Sequence, residues 1–343
     1  MPSTSSSSAP GSSANGSNGD GPNIDHALLR DYAGRLHHYG DLDSPVWFLD
    51  VEEGGRITRE EIARRLREWQ RCGRPVGGYL CGPTASPPPD CRRYLGEDDA
   101  RALLHPVWSQ QLRVLGGLCG QSPGNEQLRV LQGRAHGAPA GPTCLMSLYP
   151  LPCRGAGDWI YDRVPFDDST PFNPFETKAR YRTLYLAGRL DGLCRRVRAH
   201  RPAVLVCMAW AERDALRSVL EHAVPLPLPG VSGDAAAIVG RLGDTLVIVC
   251  AHPSGSLRGA KNRYFQQVGR AARGRLSTGT AAALSTVFAS AASQSQAGPG
   301  QRFGAGTGGD AEPVDPRVAV LARERQVDVT AVHAVGDRAC AQC

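Results

Sequence analysis

Four short apolar runs punctuate the middle of the chain, at residues 46–51, 143–149, 203–209 and 245–251, each rich in Val, Leu, Ile or aromatic residues. Runs this short, without polar alternation, read as strands buried on both faces, the pattern of a parallel sheet. Between them the polarity follows a helical period. Thr58 with Glu61 makes a capping box, and Ile62, Leu66 and Trp69 recur on one face, which predicts a helix over 58–70. Residues 176–200 carry a stripe of Tyr181, Leu184, Tyr185, Leu193 and Val197, and further helices are expected at 110–118, 212–221 and 261–273. Strand and helix alternating in this way imply right-handed crossovers and an α/β protein, a three-layer α/β/α sandwich on a four-stranded parallel sheet. The Gly and Pro of 83–90 and 121–142 read as surface loops, and no chemistry is legible in 72–140.

Composition separates the ends from this body. Residues 1–24 are mostly Ser, Gly, Asn and Pro and read as disordered, because they lack the apolar surface to offset chain entropy. The folded domain is expected over 25–276, followed by a low-complexity linker at 277–312 and a short helical tail at 313–343. No signal-peptide core follows the N-terminus, and the Ala-rich stretch 280–292 is too short to span a bilayer, so the expectation is a cytoplasmic protein with no membrane partner. Eleven cysteines scattered through a large domain suit reduced thiols. Cys72, Cys81 and Cys91 lack close pairing and Cys340 with Cys343 is a lone pair, so neither a metal nor a cofactor is implied. The formal net charge is +6 with only two lysines, Lys178 and Lys261, so the positive charge is nearly all guanidinium. Arginine suits phosphate, yet this charge alone does not select a nucleic-acid partner.

Chemistry concentrates where the strands stop. The first run ends in Asp50-Val51-Glu52-Glu53-Gly54, the second in Met146-Ser147-Leu148-Tyr149-Pro150-Leu151-Pro152, and the fourth in His252-Pro253-Ser254-Gly255-Ser256. In open α/β sheets ligands sit outside the carboxyl ends of the strands, so these segments can share one cleft. Taken in order over residues of about 30–275, they resemble the uracil-DNA glycosylase-like superfamily, whose α/β/α domain flips a base out of DNA and cleaves its N-glycosidic bond. The resemblance implies Glu52 as the catalytic carboxylate and His252 as the donor to the departing base, with Glu53, Ser147 and Tyr149 against the substrate. It also implies Ser254, Ser256, Arg258 and Lys261 as phosphate or DNA contacts near a helix start. Glycosidic cleavage develops positive charge on the sugar and negative charge on the base, which suits those residue types. Trp47, Tyr149 and Trp159 are candidate stacking aromatics. Ser147 stands where the family reads uracil with an Asn, so the target base differs or the site binds without cleaving.

A second, partial resemblance lies at 313–336, where Asp315-Pro316-Arg317-Val318-Ala319-Val320-Leu321-Ala322 is similar to the first helix of a peripheral subunit-binding domain. Three functions follow as expectations: a DNA N-glycosylase, a catalytically silent nucleic-acid-binding protein of the same fold, or a scaffold acting through a protein partner of the C-terminal helix.

Overall fold

Residues Val46, Trp47, Phe48 and Leu49 are fully buried, and alternate ones enter two different cores, which is why this apolar run becomes a central strand. The structure, a computed structural model, describes residues 24–52, 58–74, 76–77, 103–138, 141–153, 158–163, 173–228, 237–253 and 261–293. The chain divides into two units, Met1–Ala297 and Gly298–Cys343, and every described residue belongs to the first. The tail resembling a subunit-binding domain lies outside the described residues.

The strands are β1 (His38–Tyr39), β2 (Val46–Glu52), β3 (Thr143–Tyr149), β4 (Val204–Met208), β5 (Glu221–Pro225), β6 (Ile238–Leu242) and β7 (Thr245–Val249). They form one sheet in the order β1-β3-β2-β4-β7-β6-β5. β3, β2, β4 and β7 are the four runs expected from sequence and pair in parallel, whereas β1, β6 and β5 are antiparallel additions. Among the described residues the sheet is therefore seven-stranded and mixed, which corrects the four-stranded expectation. The missed strands have physical reasons. β1 is two residues long, β5 is mostly exposed, and β6 is interrupted by Gly240 and Arg241. A two-residue turn at Gly243 and Asp244, with Gly243 at φ +59°, joins β6 to β7 as a hairpin.

The helices are α1 (His26–Gly34), α2 (Arg59–Arg71), α3 (Trp108–Leu118), α4 (Asn125–Arg134), α5 (Lys178–His200), α6 (Arg213–Ser218), α7 (Lys261–Arg273) and α8 (Thr278–Ser293). The capping box at the start of α2 is formed, with Thr58 N donating to Glu61 Oε2 at 2.8 Å and Glu61 N to Thr58 Oγ1 at 3.2 Å. Trp47, Leu49 and Val51 pack with α1, α2 and α5 on one face; Val46 and Phe48 pack with α3, α4, α7 and α8 on the other. Two expectations are corrected here. Part of the 121–142 stretch is not loop, because α4 buries Leu128 and Leu131. Part of the 277–312 stretch is not linker, because α8 buries Leu284 and Phe288 beneath α3 and α4. The expected helix over 212–221 stops at Ser218 and the chain turns into β5.

Of the seven described cysteines only Cys72 is exposed. Burial pushes the Cys119 and Cys144 thiols up to about 12 and raises Cys207 and Cys250 as well. Among these seven, alkylation of the native protein followed by peptide mass mapping is expected to modify Cys72 first. Cys207 and Cys250 are expected to react only with denaturant.

Candidate active site at the strand ends

The chain lays down β2, places β3 on one side of it and then returns to place β4 on the other. That reversal is the topological switch point, and the carboxyl ends of the strands there are the position where α/β proteins hold ligands. β2 ends there with two carboxyl groups, at Asp50 and Glu52. Asp50 lies in register between Ser147 of β3 and Met208 of β4, and Glu52 is paired with Tyr149. His252 follows three residues after the end of β7, and Lys178 and Lys261 are the first residues of α5 and α7.

Glu52 is held by cations. Lys178 Nζ lies 2.7 Å from Oε2, and the Arg182 guanidinium grips Oε1 through Nε at 3.1 Å and Nη2 at 2.8 Å. The Glu52 side chain is only 12% exposed, so these pairs are shielded from solvent screening. Arg182 also stacks 5.3 Å over the Tyr149 ring and reaches Glu212 Oε1 at 3.8 Å. Tyr149 is buried, and burial beside Glu212 pushes its phenol up. Its hydroxyl lies close to Glu212 without meeting hydrogen-bond geometry there.

Asp50 has a different surrounding. Gln111 Nε2 donates to its Oδ2 at 2.9 Å, while Oδ1 is buried and has no hydrogen-bond partner among the described residues. Burial is the main influence and pushes the carboxyl up to about 7, against the smaller opposing effect of the Gln111 hydrogen bond. Gln111 is itself held by His136, whose Nε2 is 2.6 Å from Oε1. His136 is wedged edge-on against Phe48 and Trp108, and burial lowers it to about 3. At β7, burial holds His252 below the usual imidazole value, Lys261 acting in the same direction and Glu52 against it.

Of the residues expected from sequence, the structure gathers Glu52, Ser147, Tyr149, His252 and Lys261 at this edge of the sheet. Glu53, Ser254, Ser256 and Arg258 lie outside the described residues. Trp47, Tyr149 and Trp159 are not free platforms, Tyr149 being fully buried with the Arg182 guanidinium over its ring. Trp47 is fully buried and donates to Leu42 O, and Trp159 donates to Phe175 O at 2.7 Å inside a cluster with Tyr161 and Tyr181. Sequence reasoning missed Gln111, His136, Lys178, Arg182 and the separate part played by Asp50. Lys178 alone left a trace, being one of only two lysines in the chain.

Among the described residues no group of three or more His, Cys, Asp or Glu is placed to hold a metal ion, and no helix is long and apolar enough to cross a membrane. Comparison of the chain with protein-family models, with curated proteins and with solved structures returns no match.

Proposed function

We propose that the chain is a uracil-DNA glycosylase-like hydrolase that cleaves the N-glycosidic bond of a damaged base turned out of DNA into the cleft beyond β2, β3, β4 and β7. The observation that carries this reading is the convergence at one strand end of two β2 carboxyls, His252 and both lysines of the chain. Acidic groups can support a cationic sugar and activate water, and a neutral imidazole N–H with a nearby ammonium can take the negative charge of the departing base. In this reading Ser147 and Tyr149, with Glu53 outside the described residues, line the substrate, and Lys261, with Ser254, Ser256 and Arg258 outside the described residues, contacts DNA around the site. Glu52 is a fixed ion-paired charge that aligns Lys178 and Arg182. The ion pairing of Glu52 also favours the second reading, a nucleic-acid-binding protein of this fold without catalysis.

The test is strand cleavage at abasic sites after incubation with single-stranded and mismatched duplex oligonucleotides containing uracil or deaminated purines. Wild type is expected to excise one of these bases. His252→Ala is expected to lose about 10²-fold in kcat, the usual cost of removing one donor to a developing anion. Excision that survives unchanged in both His252→Ala and Glu52→Gln would remove the reading. DNA retention that weakens steeply with salt and yields no product would replace it with the silent binder.

A further inference from the structure

We propose that Asp50 is the proton-accepting carboxylate of this cleft, and that Gln111, His136 and Thr143 form a buried chain of hydrogen bonds that positions it. The chain runs in one direction. The Gly137 N–H donates to Thr143 Oγ1 at 2.9 Å, and the Thr143 hydroxyl, 3.2 Å from His136 Nδ1, donates to it when His136 carries its proton on Nε2. His136 then carries its own proton on Nε2 and donates it to Gln111 Oε1 at 2.6 Å. Gln111 is left with its amide N–H facing Asp50 Oδ2 at 2.9 Å. Every acceptor in the series meets one donor. An ionised Asp50 can only accept, so the Gln111 NH₂ must face it and Gln111 Oε1 must face a donor, which fixes the order from the Asp50 end.

The two β2 carboxyls are thereby given different capacities. Both oxygens of Glu52 are taken by Lys178 and Arg182, whereas Asp50 is held by one neutral donor and keeps Oδ1 unpartnered. The groups facing Asp50 are Gln111 from α3, His136 from the turn after α4, and the thiols of Cys207 on β4 and Cys250 beyond β7, with Glu52 on its own strand. No cation among the described residues lowers its proton affinity. Such a carboxyl, poised close to neutrality by burial, can both take and release a proton at working pH.

The chemical step rests on the glycosidic reading. The C1′–N bond breaks with its electron pair passing to the base, and a water oxygen bonds to C1′. The water proton passes to Asp50, and the base anion, stabilised by the His252 N–H, takes a proton from solvent. Asp50 later returns its proton to solvent, so the net reaction consumes one water and leaves an abasic sugar and a neutral base.

Two measurements on the full chain test this, each with Asp50→Asn and Gln111→Leu. The first is an infrared titration with carboxyl-labelled aspartate, in which the band lost in Asp50→Asn identifies Asp50. That band is expected to titrate near neutrality in wild type and at higher pH in Gln111→Leu, because the Gln111 hydrogen bond favours the ionised form. The second is the pH profile of excision on the uracil or deaminated-purine oligonucleotides. Its acidic limb is expected to move the same way in Gln111→Leu, and Asp50→Asn is expected to lose about 10²-fold or more in kcat. Circular dichroism checks that both variants fold, and Gln111→Leu carries the test if Asp50→Asn does not. An Asp50 that does not titrate near neutrality, or excision that survives Asp50→Asn and is lost in Glu52→Gln, overturns the assignment; the latter leaves the glycosidic reading intact. Titration with the Gln111→Leu shift but without any excision upholds Asp50 as proton acceptor and removes the glycosidic reading alone.

Discussion

Asp50→Asn is expected to stabilise the protein more as pH rises, with the gain appearing between about pH 4 and pH 7 and complete above that. The carboxyl's ordinary value of 3.8 is pushed up to about 7 in the fold. Within that window the native state keeps a proton that the unfolded chain has lost. Fewer protons are bound on unfolding, so stability falls with rising pH and the penalty is fully present above the folded value. A difference of about three pKa units corresponds to roughly 4 kcal/mol at most. Asparagine cannot ionise and escapes this penalty, although its amide N–H next to the unpartnered Oδ1 position adds a pH-independent cost of about 1–3 kcal/mol. Buried histidines act in the opposite sense. His136 is lowered to about 3, and His37 and His38 to about 4, so each loses stability for the fold as pH drops below the ordinary imidazole value. These contributions are common to wild type and variant. The measurement is therefore the difference between the two urea-unfolding free energies at a series of pH values, and a flat difference would show that Asp50 ionises as freely in the fold as out of it.

Gly269→Val is expected to cost about 3 kcal/mol or more, read as a lowered urea midpoint, and to impair the site as well. A Cβ at Gly269 would lie 2.1 Å from Val114 O and 2.9 Å from both Gly117 Cα and Leu118 N, and one at Gly117 would lie 2.4 Å from Gln266 O. All these neighbours are backbone, so no side chain can swing aside and α3 must part from α7. The same helix α3 carries Gln111 to Asp50, and its Gln110 donates to Asn262 Oδ1 of α7 at 2.9 Å. Helix separation is therefore expected to weaken both contacts, and the Asp50 titration should move to higher pH with the loss of its donor. Gly188→Ala is the control. Nothing lies within 4 Å of a Cβ there, and alanine in the interior of α5 should stabilise by up to about 1 kcal/mol. Equal effects at the two positions would show that helix propensity, rather than the close approach of α3 and α7, governs Gly269.

Periodicity and end signals made much of the framework legible. The apolar runs became β2, β3, β4 and β7 because a strand covered on both faces must be apolar throughout, and that requirement is written in consecutive residues. The capping box at Thr58 and most of the stripe of α5 are local in the same way, although Leu184 of that stripe stands exposed. β5 escaped because its residues are largely exposed and carry no apolar signature, and α8 because Ala, Ser and Thr mimic a linker until Leu284 and Phe288 are given a surface to cover.

The sequence by itself determined that carboxyls, a histidine and small polar residues would stand at the ends of buried strands, since each belongs to the strand or turn that delivers it. Only the tertiary structure decided what each of them does. Glu52 meets Lys178 from 126 residues away, and Asp50 meets Gln111 from 61 residues away. Proton affinity and ion pairing depend on how deeply a group is buried and on which partner the packing brings within 3 Å. Carboxyl groups two residues apart on one strand therefore look alike in the chain and differ in the fold.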